Sequence, residues 1–254
     1  MKELTQEVVT LLKTSDGEEK VTEEVIIERP YRVYLNEEFI GSALILPTDL
    51  EVFGVGYLFG LGYISKPKEI KEIRLCREKE GIFVYTSFKE IPKREIMTTT
   101  GCGGTGGLSY EMLQENPPPL FSYTISFSEI IELAEEVLKG PRLPGVHTCG
   151  LWYEGKLRLL YMDIGQHHAL DKLIGAILLG KGPRFGAIYT TGRLTVEMVA
   201  KCIRAGIPIL ISRSSTSSLG LELAQKAGLT LVCHVRGEKI NVFHAPQRIR
   251  ESLS

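Results

Sequence analysis

Residues 185–235, FGAIYTTGRLTVEMVAKCIRAGIPILISRSSTSSLGLELAQKAGLTLVCHV, decide the fold. Three short apolar runs, Phe185–Thr190, Ile207–Ser212 and Leu229–Val235, read as buried strands. They alternate with two stretches of helical periodicity, Leu194–Ala205 and Thr216–Ala227. Gly206 and Gly228 fall where each helix needs a left-handed residue to stop. Strand–helix alternation with short connections predicts a three-layer α/β arrangement around a largely parallel sheet. Upstream, the same reading gives a helix at Ser128–Lys139, strands at Val146–Tyr153 and Leu157–Asp163, and a helix at Ala169–Leu179. A short strand at Ile240–Phe243 follows.

Pro117–Pro119 marks a break before this region. We therefore expect two domains, a smaller α+β domain over 1–116 and the α/β domain over 117–254. In the first, Glu23–Leu35 and Phe39–Leu46 read as a hairpin closed by an Asn-Glu-Glu turn, and Ile70–Cys76 with Gly81–Thr86 as a second strand pair. Thr48 and Glu51 have capping-box spacing before a helix running toward Ile64. That helix carries Gly54, Gly56, Gly60 and Gly62. Glycine inside a helix costs about 1 kcal/mol relative to alanine, so something is expected to pack very close to this backbone.

Composition narrows the function. The 254 residues hold 30 Lys plus Arg against 31 Asp plus Glu, a formal charge of −1. A near-neutral chain lacks the basic surface that general nucleic-acid binding uses. At 43% hydrophobic and 24% charged residues it is too apolar for disorder. The longest apolar segment, Val52–Ile64, is well short of the roughly 18–20 residues that span a bilayer. The polar first twenty residues, of mixed charge, do not read as a signal peptide. Five cysteines are too few, and odd in number, for a disulfide framework. We expect a reducing compartment: a cytoplasmic protein with no membrane and no nucleic-acid partner.

Three motif matches fail on context. Gly101-x-Gly103-x-x-Gly106 matches the dinucleotide fingerprint, but a polar segment precedes it and no amphipathic helix follows. Gly175 to Lys181 mimics a phosphate loop, but residue 182 is Gly where a Ser or Thr would bind magnesium. A zinc deaminase needs a Cys-x-x-Cys pair and the chain has none, so no metal ligands and no zinc are expected.

Chemistry concentrates in two places. Cys102 sits among Gly101, Gly103, Gly104, Gly106 and Gly107, in a stretch from Met97 to Gly107 with no expected regular structure. Surrounding glycines expose a sulfur and let backbone amides turn toward a thiolate. Cys76, Cys149, Cys202 and Cys233 lie in apolar periodic runs and read as small buried hydrophobes. The second place is a presumed sheet edge. Thr191, Gly192 and Arg193 follow one strand; Ser212, Arg213, Ser214 and Thr216 follow the next. Free amides at a helix start, with hydroxyls and a guanidinium, suit a phosphate, and such edges are where open α/β sheets bind ligands. Ordinary Ser/Thr capping is the competing reading. Asp163, Gly165, His167, Asp171 and Lys172 occupy another strand-to-helix junction. There His167 can orient a phosphate or base, and Asp171 can accept from a guanine edge or pair with Lys172 in solvent.

With these residues in place, the sequence resembles the formate dehydrogenase accessory sulfurtransferases, the FdhD/NarQ family, along nearly its whole length. The matching segments are Glu28 to Pro30, Leu46 to Glu51, Gly56 to Gly60, Gly145 to His147, and Asp163 to Lys172. Thr191 to Arg193, Ile207 to Leu210, Ser217 to Leu219, Ala227 to Leu231, and Val235 to Phe243 complete the set. The resemblance implies a sulfur carrier. A cysteine desulfurase donates sulfur as a persulfide on Cys102, which passes to the molybdenum or tungsten bis-guanine-dinucleotide cofactor before insertion into apo formate dehydrogenase. It also implies a cytidine-deaminase-like C-terminal domain without zinc, usually in a homodimer. His147 and the segment His234, Val235, Arg236, Gly237, Glu238, Lys239 would join the guanine-dinucleotide site. The family's Cys-Gly-x-Cys-Gly loop reads here with Cys102 kept and Thr105 in place of the second cysteine. Other departures are Gln166 for an arginine, His168 for an asparagine, Cys149 for an alanine and His234 for a phenylalanine. The competing function is a non-catalytic chaperone that binds and delivers the cofactor.

Overall fold

The computed structural model describes residues 4–76, 78–88, 90–98, 107–109, 113, 117–140 and 143–251. The chain opens with a two-stranded ribbon, β1 (Thr5–Thr14) against β2 (Gly17–Ile26). The polar reading of the first twenty residues did not anticipate it. Next come β3 (Arg29–Leu35), β4 (Glu38–Ile45), helix α1 (Leu50–Gly60), β5 (Ile70–Cys76) and β6 (Gly81–Thr86). These strands form one sheet in the order β4-β3-β6-β5, with β3 and β6 parallel. The β3–β4 hairpin closes through Asn36 and Glu37, both at positive φ, the conformation a two-residue hairpin turn demands. The predicted long strand is broken at residues 27–28, so its first part belongs to the ribbon.

The expected capping box does not form. The residue before α1 is Asp49, at φ 54°, with no side-chain cap. The Thr48 hydroxyl accepts instead from Lys172 Nζ at 3.3 Å. Short strands β7 (Ile96–Thr98) and β8 (Gly107–Ser109) pair antiparallel and bring Thr98 beside Gly107. Regular structure therefore reaches both ends of the glycine-rich stretch. Cys102, Thr105 and the fingerprint glycines Gly101, Gly103 and Gly106 lie outside the described residues.

The second half runs β9 (Ile125–Ser126), α2 (Phe127–Lys139), β10 (His147–Tyr153), β11 (Lys156–Asp163) and α3 (Gln166–Leu178). It continues with β12 (Ala187–Thr190), α4 (Val196–Arg204), β13 (Ile209–Ser212) and α5 (Ser218–Ala227). Last are β14 (Thr230–Arg236), β15 (Lys239–His244) and β16 (Ile249–Arg250), which pairs with β9. Ser126 and Glu129 form a capping box at the start of α2. Gly206 and Gly228 both adopt the positive φ expected of them.

Six strands make the main sheet, in the order β11-β10-β12-β13-β14-β15. Alternating side chains leave on opposite faces. Leu151, Ile188, Leu210, Leu231 and Cys233 pack with residues of α3, α4 and α5, whereas Trp152, Tyr189, Ile209, Ile211 and Val232 pack with residues of α2. Helices therefore cover both faces. The expectation of a largely parallel sheet is corrected, since only β12–β13 and β13–β14 are parallel. Glu154 and Gly155, both at positive φ, close β10–β11 as a tight hairpin, and Gly237 turns β14 into β15. Strands joined that closely can only be antiparallel.

Helix α1 lies against α3 backbone to backbone. A Cβ built on Gly56 would sit 1.8 Å from the Asp171 carbonyl oxygen, and one on Gly175 would sit 1.9 Å from that of Val52. This close neighbour accounts for Gly56 of α1 and Gly175 of α3, whereas Gly54 lies against the Ile82 side chain of β6. Gly60 adds a third close approach, to Lys201 Cε.

Candidate functional site

The strand-end loops meet at one edge of the six-stranded sheet. Thr191 lies beside the start of β10, where its hydroxyl accepts from the Thr148 N–H at 3.1 Å and sits 3.3 Å from His147 Nδ1. Ser212 Oγ donates to the Gly192 carbonyl at 2.6 Å and accepts from the Ser214 N–H at 2.8 Å, locking the two loops together. Thr216 Oγ1 donates to the Leu194 carbonyl, and the His234 N–H donates to the Ser214 carbonyl, extending the bracing to β14. Arg193 and Arg213 stand exposed on two successive loops, and Arg236 is exposed as the last residue of the next strand, β14. Glu238 and Lys239 are exposed at the β14–β15 turn. Arg213 and Arg236 also line a groove of about 190 Å³ against Ile131 and Leu138 of α2.

Not every expected residue faces this edge. Ser212 is fully buried and acts as a brace. Val235 is buried among the residues packed on α2, because the bulge at His234, φ 55°, redirects the strand. Ser217 caps α5 by accepting from the Gly220 N–H, so plain capping describes that helix start. Gln166 is buried behind the first loop, where its side-chain oxygen accepts from the Arg193 N–H at 2.8 Å. The amide at this position thus holds the loop's shape.

Asp163, Asp171 and Lys172 do not stand open at this edge, since each is buried on protein partners. Lys172 Nζ lies 2.7 Å from Asp163 Oδ2 and donates to the carbonyls of Leu46 and Met162 and to Thr48. Asp163 also accepts from the N–H groups of Leu46 and Gly165. The pair is a clasp between the end of β4 and the start of α3. Burial alone would raise the Asp163 carboxyl, but His168 and Lys172 hold it below the usual range. Asp171 pairs with Lys201 at 2.7 Å, so the solvated Asp171–Lys172 pair does not exist.

Lys201 continues to Glu197 Oε1 at 2.7 Å, and Glu197 Oε2 lies 3.5 Å from His167 Nδ1. His167 Nε2 sits 3.1 Å from Thr195 Oγ1. A buried polar chain therefore runs between α3 and α4 to the base of the Arg193 loop. Burial alone would lower the Lys201 ammonium; the Asp171 and Glu197 carboxylates raise it instead. Burial raises Asp171. Glu197 and Lys201 were missed in the sequence. Their signal was an i,i+4 pair of opposite charge beside the apolar positions Leu194, Met198 and Cys202.

Burial lowers His167 from 6.5 to about 4 and keeps the imidazole neutral, although Glu197 opposes the shift. Burial and the Arg193 guanidinium likewise lower His147. A folded-state value below the unfolded one gives stability that is complete above the unfolded value and falls as pH drops toward the folded one. For His167 the window is pH 6.5 to 4, worth about 3 kcal/mol at most. Urea titrations across that window should show stability falling with pH, and His167→Gln should flatten the slope. A wild-type slope that survives the substitution rules out this assignment.

The remaining cysteines divide. Burial pushes Cys149 and Cys233 up to about 12 and Cys202 higher still, so these thiols are inert fillers as expected. Cys76 is half-exposed at the end of β5, where Gly81 opposes it without a covering side chain, which corrects its reading as buried. The pair β7–β8 packs at the far end of α1, where Leu61 approaches Gly107 and Arg204 of α4 donates to the Gly62 carbonyl. The bracket around residues 99–106 is thus near the C-terminal end of α4, while the Arg193 loop enters its N-terminal end. Nine helical residues, about 14 Å, separate the two.

An α/β protein with an arginine-bearing strand-end edge, and a glycine-rich stretch of sequence between the paired strands β7 and β8, is the class these features define. The chain belongs to the FdhD/NarQ family, whose model matches residues 26–250. It is 32% identical over 249 residues to the sulfur carrier protein FdhD of Sulfolobus acidocaldarius, covering 95% of this chain and 97% of that one. The protein of the same name from Bacillus subtilis is 31% identical over 247 residues, 91% and 92% of the two chains. A crystal structure assigned as a formate dehydrogenase accessory protein from Desulfotalea psychrophila is 45% identical, with a TM-score of 0.84 over 97% of this chain and all of that one. No helix among the described residues is long and apolar enough to cross a membrane.

Proposed function

We propose that this chain is a sulfur carrier for formate dehydrogenase maturation, acting through a persulfide on Cys102. The names of the relatives support the carrier role, and a deaminase-like layering of the α/β half without zinc accords with helices on both sheet faces. The observation that carries the cargo side is the single edge where Arg193, Arg213 and Arg236 stand exposed at neighbouring strand ends. Three guanidiniums beside backbone amides suit the diphosphates of a molybdenum or tungsten bis-guanine-dinucleotide substrate. His147, neutral beside Arg193, supplies a further hydrogen-bonding group.

Loading needs no redox partner. The Cys102 thiolate attacks the outer sulfur of the desulfurase persulfide; the new S–S bond forms on Cys102 and the donor leaves as a thiolate. One thiol suffices for this step, so Thr105 is compatible with it. The test is incubation with a cysteine desulfurase and cysteine, then peptide mapping by mass spectrometry. One added sulfur on the Cys102 peptide is expected. A peptide that stays unmodified while the desulfurase turns over overturns the persulfide and leaves the second reading, a chaperone that only binds and delivers the cofactor, which Thr105 motivates.

A further inference from the structure

Two arginines and a buried serine converge on Gly62, just beyond the end of α1. Arg94 Nη2 and Arg204 Nη2 both donate to the Gly62 carbonyl, at 3.0 Å and 3.4 Å. Gly62, at φ 87°, has no side chain to fill the space above its Cα. Ser109 Oγ, Arg204 Nη1 and Arg94 Cζ border that space, 3.5, 3.6 and 3.7 Å from where a Cβ would stand. A small opening walled by three hydrogen-bond donors is the result.

Bracing accounts for only one of the three. Arg204, the last residue of α4, also donates to the Ile64 carbonyl and to Ser65 Oγ, both at 2.9 Å, and its guanidinium lies over the Phe59 ring. It holds the turn after α1 in place. Ser109 has no such duty. It is fully buried on β8, aimed at the Gly62 opening, and its hydroxyl has no hydrogen-bond partner. Arg94 Nε is likewise buried and finds no acceptor among the described residues. Buried donors without acceptors are rare because desolvation goes uncompensated. Every group at this point donates, and two of them carry positive charge. The ligand that answers all three accepts only and is negative, which describes a compact oxyanion.

We propose that Arg94, Arg204 and Ser109 form a site for a compact tetrahedral oxyanion at Gly62. Ser109 pairs with Ile96, two residues back from the Thr98–Gly107 rung where the glycine-rich stretch departs, so the site lies about 7 Å along the strand pair from that point. It is distinct from the Arg193 edge, at the opposite end of α4. Its test needs neither sulfur loading nor formate dehydrogenase. The full chain carrying Arg193→Ala, Arg213→Ala and Arg236→Ala, which silences that edge, is titrated calorimetrically with thiosulfate and with inorganic phosphate at constant ionic strength. One saturable site is expected. Adding Arg94→Gln should weaken it by about 10-fold or more, and Ser109→Ala should weaken it less. Tighter binding of thiosulfate marks a site for a sulfur-bearing oxyanion, and tighter binding of phosphate a phosphate site. Crystals of the unsubstituted chain soaked in selenate should show an anomalous peak within hydrogen-bond distance of Arg94 and Ser109, a result that needs no variant to fold. No saturable binding of either anion, an affinity indifferent to Arg94→Gln, or only a water at Gly62 after the soak would each overturn the site.

Discussion

Cys102→Ala is expected to take up no sulfur from a cysteine desulfurase and to lower formate dehydrogenase activity in a complemented host by at least about 100-fold. The thiolate is the bond-forming atom in the loading step, and nothing in the remaining cysteines replaces it. Cys149, Cys202 and Cys233 are fully buried with raised thiols, and Cys76 is half-exposed at the end of β5, an edge strand of the four-stranded sheet. The same variant should keep wild-type affinity for guanosine diphosphate, because the arginine edge is separated from β7–β8 by the length of α4. Arg193→Ala with Arg213→Ala and Arg236→Ala should do the reverse. It keeps the persulfide and loses guanosine diphosphate affinity by about 100-fold or more, since charge-assisted hydrogen bonds are each worth roughly 1.5–3 kcal/mol. Calorimetry and mass spectrometry on the two variants separate the two functions. Full complementation by Cys102→Ala would discard the persulfide in favour of the delivery chaperone.

The α/β half was legible because its rules are local. Gly206 and Gly228 stop helices where a left-handed residue is required, and the runs ending at Thr190, Ser212 and Arg236 are apolar on both faces because helices cover both. What the sequence could not reveal depends on partners far along the chain. Thr48 has capping-box spacing, but Lys172, more than a hundred residues away, takes its hydroxyl. Asp163 and Lys172 look like ligands because titratable groups at strand ends often are; here Leu46 and its neighbours consume them. Strand direction was misjudged at β10 and β15, where Gly155 and Gly237 turn the chain straight back. The arginine loops were legible for a different reason. Exposed side chains at strand ends have no distant partner to claim them, so their local chemistry is their chemistry.

Glycine placement in α1 and α3 supports the second large effect. Gly175→Ala and Gly56→Ala should each destabilise the protein by about 3 kcal/mol or more, even though alanine favours the helix by about 1 kcal/mol. The reason is what the new methyl meets. At both positions it falls within 2 Å of a main-chain carbonyl oxygen on the opposing helix, Val52 for Gly175 and Asp171 for Gly56. A backbone cannot swing aside as a side chain can, so α1 and α3 must separate. Separation also strains the Lys172 clasp to Leu46 and the Lys201–Asp171 pair near Gly60. Gly54→Ala is the internal contrast. Its methyl would meet side chains of β6, Ile82 and Val84, rather than backbone, so the core must repack locally but the two helices need not separate, and the cost should be smaller than at Gly175. Gly56→Ala combined with Gly175→Ala should cost less than the two added, because helices already forced apart accommodate the second methyl. Guanidinium unfolding with unchanged m-values measures all four. Wild-type midpoints for both Gly56→Ala and Gly175→Ala would show that the two helices are not in backbone contact, and the physical account of these two glycines would fall with it.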